Sequence, residues 1–220
     1  MSSVKETKIL ECREALKFCG IPAADLLVKY MVTLLEVNEK VNLTGAKTPK
    51  ELALKHIADA FGAWNTVGGI KRPLFDVGSG GGLPGIVLAI LSPAIPVFLV
   101  ERRTKKAQAL AHIVEEIGLD KRVTVFGGPF EQIKDRPYDA ECWFRGFLPG
   151  VKLAQYFSEN IPERSIGPIT LMKGPLWPEE KQAVADAKGV TADWKERLLS
   201  SSEETYSLPH DAGARLLVLV

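Results

Sequence analysis

Short apolar runs alternate with amphipathic stretches over the last two-thirds of the chain. A continuous apolar run is typical of a parallel strand covered on both faces, whereas apolar residues three or four apart indicate a helix face. We expect strands at 73–77, 95–100, 122–126, 138–143, 167–172, 191–198 and 214–220, and helices at 83–91, 103–117, 149–160 and 178–188. The alternation predicts an α/β fold with a seven-stranded, mostly parallel sheet and helices on both faces. The apolar last strand should insert in the sheet, and polar residues 200–210 should form a loop.

The first 66 residues differ, because their apolar positions repeat with helical spacing throughout. We expect helices over 6–19, over 22–40 and from about residue 48 to residue 64. Thr48 followed by Pro49 and Glu51 is a capping box with proline at the first helical position. The sequence therefore predicts an N-terminal helical region, 1–66, packed on a Rossmann-like domain, 67–220.

The composition of the chain argues against several classes of protein. With 220 residues, 46% of them hydrophobic and 25% charged, the chain has the makeup of an ordinary globular protein. It lacks the apolar run of roughly 20 residues that a bilayer span needs, and its start lacks the apolar segment of a signal peptide. Three cysteines suggest neither a disulfide framework nor a metal cluster. We expect a soluble, cytoplasmic monomer without a metal site.

The most informative stretch is LFDVGSGGGLPG at 74–85, where an apolar strand pattern ends in a glycine cluster. Strand, glycine turn and helix together indicate a nucleotide site. Gly80, Gly82 and Gly85 match the G-x-G-x-x-G pattern of dinucleotide sites. They follow the expected strand end at Val77 too late, however, because a dinucleotide site places its first glycine directly there.

An acid in the strand separates two cofactor classes. Asp76 would repel a dinucleotide pyrophosphate, whereas the cationic sulfonium and ammonium groups of S-adenosylmethionine tolerate an anion. The pattern formed by Asp76, Gly78, Gly80 and Gly82 therefore favours S-adenosylmethionine. Glu101 ends the next expected strand, where a carboxylate would accept hydrogen bonds from ribose hydroxyls in either class. The alternative for this acid is a favourable contact with a helix dipole.

Ligands of open α/β sheets bind beyond the carboxyl ends of the strands. We therefore expect one cleft, built from the segments that follow five strands: 78–84, Glu101, 127–131, 144–147 and 173–175.

The chain resembles the RsmG (GidB) family of bacterial ribosomal RNA methyltransferases. The matching segments are NEKVNLTG (38–45), KHIADAF (55–61), FDVGSGGGLPGI (75–86), VERRTKKAQAL (100–110), FRGF (144–147), MKG (172–174) and the closing RLLVLV. The resemblance implies a Rossmann-like class I methyltransferase that uses S-adenosyl-L-methionine and releases S-adenosyl-L-homocysteine. Its acceptor would be N7 of one guanine in 16S ribosomal RNA, in the loop near the decoding site, within the small ribosomal subunit or a precursor of it.

The resemblance also implies site residues. The family's cofactor-contacting positions fall here on Gly78, Leu83, Phe130, Glu131 and Arg145.

The chemistry agrees with this assignment, because guanine N7 is a lone-pair nucleophile that has no proton to lose. Methyl transfer to it needs in-line placement, which can supply roughly 7–11 kcal/mol, and no general base. Arg145 carries donors only, so it can bond the cofactor carboxylate or guanine O6 and is the candidate catalytic residue. The alternative is a salt bridge that holds the cleft shut.

RNA contacts are expected from two kinds of residue. Phe144 or Phe147 can stack on an extruded base, whereas Trp143 should face the core. Phosphates could be contacted by two basic groups: Lys47, Lys50 and Lys55, and Arg102, Arg103, Lys105 and Lys106.

Two other functions compete with methyl transfer to RNA. An NAD-dependent oxidoreductase is favoured only by Gly80, Gly82 and Gly85, and it is opposed by Asp76. A non-catalytic RNA-binding module with a vestigial cofactor fold is opposed by the intact glycine turn and by Arg145.

Overall fold

The computed structural model describes residues 2–137, 139–162 and 165–220, within which seven strands form one sheet flanked by helices. The helices are α1 (Ser2–Phe18), α2 (Asp25–Asn38), α3 (Pro49–Leu52), α4 (Ala58–Thr66), α5 (Gly85–Leu91), α6 (Thr104–Ile117), α7 (Gly150–Asn160), α8 (Trp177–Ala185) and α9 (Ala192–Leu199). The strands are β1 (Leu74–Val77), β2 (Val97–Val100), β3 (Val123–Phe126), β4 (Glu141–Arg145), β5 (Ile169–Lys173), β6 (Ser202–Ser207) and β7 (Ala214–Leu219). A π-helical segment, Ala53–Ile57, joins α3 to α4, and short 3-10 turns lie at Phe130–Gln132 and Pro209–Asp211.

The sheet has the order β3-β2-β1-β4-β5-β7-β6. Strands β1 to β5 run parallel, while β7 lies antiparallel between β5 and β6. The α/β class, the mostly parallel sheet and the insertion of the last strand are thereby confirmed. Strand order reverses between β1 and β4, so the carboxyl ends of these two strands open the crevice where a ligand is expected.

Both faces of the sheet are covered, because successive residues of each strand point to opposite sides. Leu74 joins a core that it shares with α1, α2 and the helix from Pro49 to Thr66, as well as α5 and α6. Phe75 belongs to a second core, which α7, α8 and α9 complete. The N-terminal helices therefore bury their apolar faces in the same core as the sheet.

The predicted helix start at residue 48 is confirmed in detail. Thr48 Oγ1 accepts a hydrogen bond of 3.2 Å from Glu51 N, and Pro49 occupies the first turn. The Glu51 carboxylate reaches back to Lys47 N at 2.9 Å, so the helix begins with its free amides partly satisfied.

Two predictions near the carboxyl terminus are wrong. Residues 191–198 form helix α9 rather than a strand, because Trp194 and Leu198, four residues apart, are the pair that is buried. The polar segment 200–210 contains strand β6 rather than only a loop. This strand lies at the sheet edge with its residues largely exposed, so it needs no apolar alternation.

The fourth strand begins later than predicted. It spans Glu141–Arg145 rather than 138–143, and it includes Arg145 as its last residue. The expected start at residue 138 lies outside the described residues.

Across the described ranges, no helix is long and apolar enough to cross a bilayer. The same ranges hold no group of three or more His, Cys, Asp or Glu residues placed to bind a metal ion.

Candidate active site

A cavity of about 420 Å³ opens at the carboxyl edge of the sheet, beside the point where strand order reverses. We call it the glycine-turn cavity. Of the residues predicted to bind the cofactor, five line it: Gly78, Gly80, Glu101, Phe130 and Glu131. These side chains and amides come from the segments after β1, β2 and β3, as the topology requires.

The glycine turn is fixed to the neighbouring strand by backbone hydrogen bonds. Both Gly78 N and Ser79 N donate to Val100 O, at 2.9 and 3.0 Å. Gly78 has φ 85°, and a Cβ there would lie 2.9 Å from the Phe147 ring. Gly80 has φ 56° and a Cβ would meet the carbonyl oxygen of Leu43 at 3.4 Å. Side chains are therefore excluded at Gly78 and Gly80 by conformation and by space.

Three predicted site residues lie behind the turn instead of lining the cavity. Asp76 is buried, and its Oδ2 accepts a hydrogen bond of 3.0 Å from Gly85 N at the start of α5. Burial raises the pKa of Asp76 to about 6, although the Gly85 amide opposes that rise. Leu83 is buried in the core shared with α5 and α6, and Gly82 faces Ile86. These residues shape the turn from below.

Glu101 is the carboxylate that faces the cavity. One oxygen accepts a hydrogen bond of 3.2 Å from Gly80 N, and the other accepts one of 2.8 Å from Arg103 N. These two amides hold the carboxylate in place, yet each of its oxygens keeps a further lone pair. The carboxylate is therefore oriented and able to accept hydrogen bonds from a ligand's hydroxyl groups.

The opposite wall is aromatic. The Phe130 ring packs edge-on against Phe75, and the Arg136 guanidinium lies 4.5 Å from the ring centroid of Phe130. The Glu131 carboxylate accepts a hydrogen bond of 2.8 Å from the hydroxyl of Tyr156, which reaches over from α7. Burial raises the pKa of Tyr156 well above its usual range, so the hydroxyl stays protonated.

Arg145 points away from the glycine-turn cavity, toward the N-terminal helices. Its Nε donates to Asp59 Oδ2 at 2.8 Å, and its Nη2 donates to Lys55 O at 3.1 Å. The second Asp59 oxygen accepts a hydrogen bond of 2.6 Å from the Tyr206 hydroxyl of β6. The next residues of the chain, Gly146 and Phe147, return to line the cavity.

His56 completes this cluster, which we call the Arg145 network: Arg145, Asp59, His56, Thr44 and Tyr206. Arg145 Nη2 lies 3.0 Å from His56 Nδ1, and His56 Nε2 lies 3.1 Å from Thr44 Oγ1. Because the guanidinium can only donate, Nδ1 must accept and the proton must sit on Nε2. Burial, assisted by the Arg145 charge, lowers the pKa of His56 to about 4. The imidazole is therefore neutral at physiological pH.

The helical region also supports the glycine turn directly. The buried Tyr30 hydroxyl of α2 donates to Gly81 O at 2.8 Å. Asn38 holds the loop that follows α2, because its side chain accepts from Leu43 N and Thr44 N at 2.8 and 2.9 Å. That loop places the Leu43 carbonyl over Gly80.

Sequence reasoning missed several residues that the structure brings to the site. Tyr156 lines the cavity, and Tyr30 supports the turn, but both look like packing residues of amphipathic helices. Asp59 carried no assigned role because its partner Arg145 is 86 residues away. The basic cluster after β2 was a candidate for RNA contact. Three of its members also line the cavity: Arg102, Arg103 and Lys106.

The strand order, the antiparallel β7 and the glycine turn define a Rossmann-like protein with the fold of class I methyltransferases. The chain belongs to the family described as rRNA small subunit methyltransferase G (GidB), which matches residues 23–206.

Relatives and solved structures agree with this assignment. A protein named ribosomal RNA small subunit methyltransferase G from Solibacter usitatus is 30% identical over 200 residues, which cover 86% of this chain and 86% of the relative. The fold is similar to that of an MtNAS variant crystallised with S-adenosylmethionine, with TM-score 0.53, 14% identity and coverage of 94% of this chain and 81% of that one. It is also similar to the mitomycin 7-O-methyltransferase MmcR, with TM-score 0.51, 14% identity and coverage of 86% and 60%.

Proposed function

We propose that this protein transfers a methyl group from S-adenosylmethionine to N7 of one guanine in 16S ribosomal RNA, in the loop near the decoding site. Membership of the family supports the RNA substrate and the reaction class. The observation that carries the proposal is the glycine-turn cavity, where the oriented carboxylate of Glu101 faces the glycines of the turn, Gly78 and Gly80.

The residues of this cavity fit the cofactor. Glu101 would accept hydrogen bonds from the ribose hydroxyls, and the turn at Gly78 and Gly80 lets the ligand approach the backbone closely. Phe130 and Glu131 would contact the adenine, with Glu131 held in place by Tyr156. Asp76 and Leu83 hold the turn in shape from behind.

S-adenosylmethionine supplies a methyl group on a cationic sulfur, so the carbon–sulfur bond breaks as the N7–carbon bond forms and S-adenosylhomocysteine leaves. The positive charge passes to the purine ring, and no proton is lost in this step. The groups that line the cavity fit such a reaction. Both carboxylates already accept hydrogen bonds, and Tyr156 stays protonated. Their task is to bind and orient.

We place Arg145 beside the active centre, as a positioning residue. Its guanidinium is bonded to Asp59, His56 and Lys55, and it fixes the end of β4. Gly146 and Phe147 leave that strand end and form part of the cavity wall. The Arg145 network would therefore set the position of the wall against which the acceptor base is held.

We further propose that residues 1–66 form the helical region that meets RNA, carried on the methyltransferase domain at 67–220. Phosphate contacts would come from two basic groups. The candidates are Lys47, Lys50 and Lys55 in the helical region, and Arg102, Arg103, Lys105 and Lys106 after β2. The partner would be the small ribosomal subunit or a precursor of it, met in the cytoplasm by a monomer.

Transfer of label from S-adenosylmethionine to small subunits that lack the modification tests the proposal. The RNA is digested to nucleosides, and we expect the label in N7-methylguanosine. Label in another nucleoside would reject the acceptor while keeping the cofactor. Protection against thermal unfolding by NAD, but not by S-adenosylhomocysteine, would favour the oxidoreductase alternative instead.

A further inference from the structure

A second cavity, of about 330 Å³, adjoins the glycine-turn cavity at the carboxyl ends of β4 and β5. We call it the Lys173 cavity. Gly146, Phe147 and Leu148 line both cavities, so the two adjoin at these residues. A ligand in the Lys173 cavity would therefore lie beside a cofactor in the glycine-turn cavity. Its volume is within the range of small-molecule sites, roughly 300–1,000 Å³.

The Lys173 cavity has an apolar, partly aromatic side. Phe144, Leu153 and Leu171 are buried there, and the Phe147 ring stands edge-on to Phe144 with 5.4 Å between centroids. Flat apolar walls of this kind suit a planar base, because extruded bases are read by stacking as well as by hydrogen bonds.

Its polar side is one ion pair with a fixed geometry. Lys173 Nζ, with 12% of its side chain exposed, lies 2.8 Å from Glu180 Oε2 and donates to Leu148 O at 3.0 Å. Glu180 Oε2 also accepts a hydrogen bond of 2.8 Å from Gly150 N at the start of α7. A Cβ at Gly150 would lie 2.8 Å from the Glu180 Cβ, so α7 and α8 pack closely at this point.

This geometry leaves two groups available to a ligand. Lys173 Nζ has three N–H donors and uses two of them, on Leu148 O and Glu180 Oε2. Glu180 Oε1 accepts no hydrogen bond from the part of the chain that the structure describes. The cavity thus presents a cationic donor beside a carboxylate acceptor. Adjacent groups of this kind are complementary to guanine, whose O6 accepts and whose N1–H and N2–H₂ donate. Adenine presents the reverse order at the same edge, so a donor would face a donor.

We propose that the Lys173 cavity holds the acceptor guanine by its Watson–Crick edge, with Lys173 bonded to O6 and Glu180 Oε1 bonded to N1–H. This inference rests on the proposed function and names the residues that select its base. The N7 atom lies on the other side of O6, so it stays free for the cofactor. Lys173 and Glu180 are then specificity-determining residues that take no part in bond making.

The substitution Glu180→Gln gives a sharp test, because the amide oxygen would stay with the two donors at the Oε2 position. The amide nitrogen would then face the base as a donor. The substrate is a small subunit reconstituted from ligated 16S RNA, with either guanine or 2-aminopurine at the methylated position. 2-Aminopurine keeps N7 but lacks O6, and its N1 is an acceptor. The neighbouring, exposed Glu179→Gln is the matched control.

We expect the wild-type protein to methylate guanine at least about tenfold faster than 2-aminopurine. Glu180→Gln should lower kcat/KM on guanine about 10- to 100-fold, in line with the discrimination of a good base contact. On 2-aminopurine it should equal or exceed the wild-type rate, and Glu179→Gln should match wild type on both. A merely structural role of Glu180 would lower both rates by the same factor, and that result would overturn the inference.

The wild-type comparison can still overturn the inference if Glu180→Gln does not fold. Equal wild-type rates on the two bases would contradict Watson–Crick recognition in this cavity, whatever the variants do. Failure of the proposed function looks different, because the wild-type protein would then place no label in N7-methylguanosine on the guanine subunit.

Discussion

The glycine-turn cavity and the Arg145 network both lie near the carboxyl edge of the sheet, yet they use their polar groups in opposite ways. In the cavity, Glu101 is oriented by two backbone amides and keeps lone pairs that face open space. In the network, Arg145 and Asp59 bond each other and further partners, with 21% and 5% of their side chains exposed.

The difference shows what separates a binding site from a structural hydrogen-bond network. A binding site keeps oriented donors and acceptors unused until a ligand arrives, whereas a structural network pairs its donors and acceptors within the protein. Charge alone does not separate them, because both regions contain buried carboxylates. Four substitutions should divide the two regions by what each one changes, and they run from the largest expected effect to the smallest.

Gly80→Val should weaken S-adenosylhomocysteine binding most, by at least about 100-fold, or about 2.7 kcal/mol. A β-branched side chain is strained at φ 56° and would project beside the Leu43 carbonyl at the edge of the cavity. Isothermal titration calorimetry measures the affinity. Gly118→Val is the control, because Gly118 has φ 79° at the end of α6 with nothing within 4 Å. If both variants bind as wild type does, the turn does not hold the cofactor.

Arg145→Ala should act mainly on stability and on transfer, leaving affinity for S-adenosylhomocysteine within about threefold of wild type. Removing the guanidinium leaves Asp59 buried without its closest cation, which lowers the free energy of unfolding by about 2 kcal/mol, less than for a fully buried pair because Arg145 is partly exposed. Methyl transfer should fall at least about tenfold as the end of β4 loosens.

Urea unfolding and turnover measure both effects of Arg145→Ala. Arg215→Ala is the control, because its Nε lies 3.7 Å from the same carboxylate and should contribute less than about 1 kcal/mol. A large loss of cofactor affinity in Arg145→Ala, with normal stability, would show that Arg145 belongs to the binding site and not to a structural network.

Glu101→Gln should weaken S-adenosylhomocysteine binding about 10-fold, because it removes a charge-assisted acceptor from the ribose site. It should also lower the free energy of unfolding by about 1 kcal/mol, because the amide NH₂ would face one of the two backbone N–H groups that the carboxylate accepts from. The matched control is Glu115→Gln on the exposed face of α6. Unchanged affinity in Glu101→Gln would mean that this carboxylate only caps the segment before α6.

The smallest effect concerns pH. The folded-state pKa of His56, about 4, lies below the unfolded value near 6.5, so the unfolded state binds more protons between these two values. The stability that His56 contributes is complete above about pH 6.5 and is lost as pH falls toward 4. Asp76, with its pKa raised to about 6, changes stability with pH in the opposite direction, but it is present in wild type and in a His56→Gln variant alike.

His56→Gln should therefore lose less stability than wild type between pH 7 and pH 5. Urea midpoints at pH 7, 6 and 5 give the comparison. If the two proteins show parallel pH profiles, the imidazole is not held neutral by burial beside Arg145.

The sequence predicted those parts of the fold and the site that local pattern determines. The apolar run LFDV and the glycines after it mark β1 and the turn within twelve residues, and Glu101 follows at the end of the next strand. Gly78, Gly80, Glu101, Phe130 and Glu131 accordingly come together in one cavity. The chemistry of the glycine turn is local, so spacing alone locates it.

Long-range pairing was not visible in the sequence. Arg145 could have faced the cavity or the helices, and the distant Asp59, Lys55 and His56 hold it toward the helices. The strand β6 was missed for a related reason. Its residues are polar because the strand lies at an edge of the sheet. Its backbone pairing with β7 holds it in the sheet, whereas other strands are also held by buried apolar side chains.

A crystal structure of the protein with S-adenosylhomocysteine would test the central claim most directly. We expect the ligand in the glycine-turn cavity, with both ribose hydroxyls within hydrogen-bonding distance of Glu101 and the Arg145–Asp59 pair intact at about its present 2.8 Å. A ligand seated elsewhere would contradict the account. So would a structure in which Arg145 leaves Asp59 and binds the ligand carboxylate, because the network would then be part of the binding site.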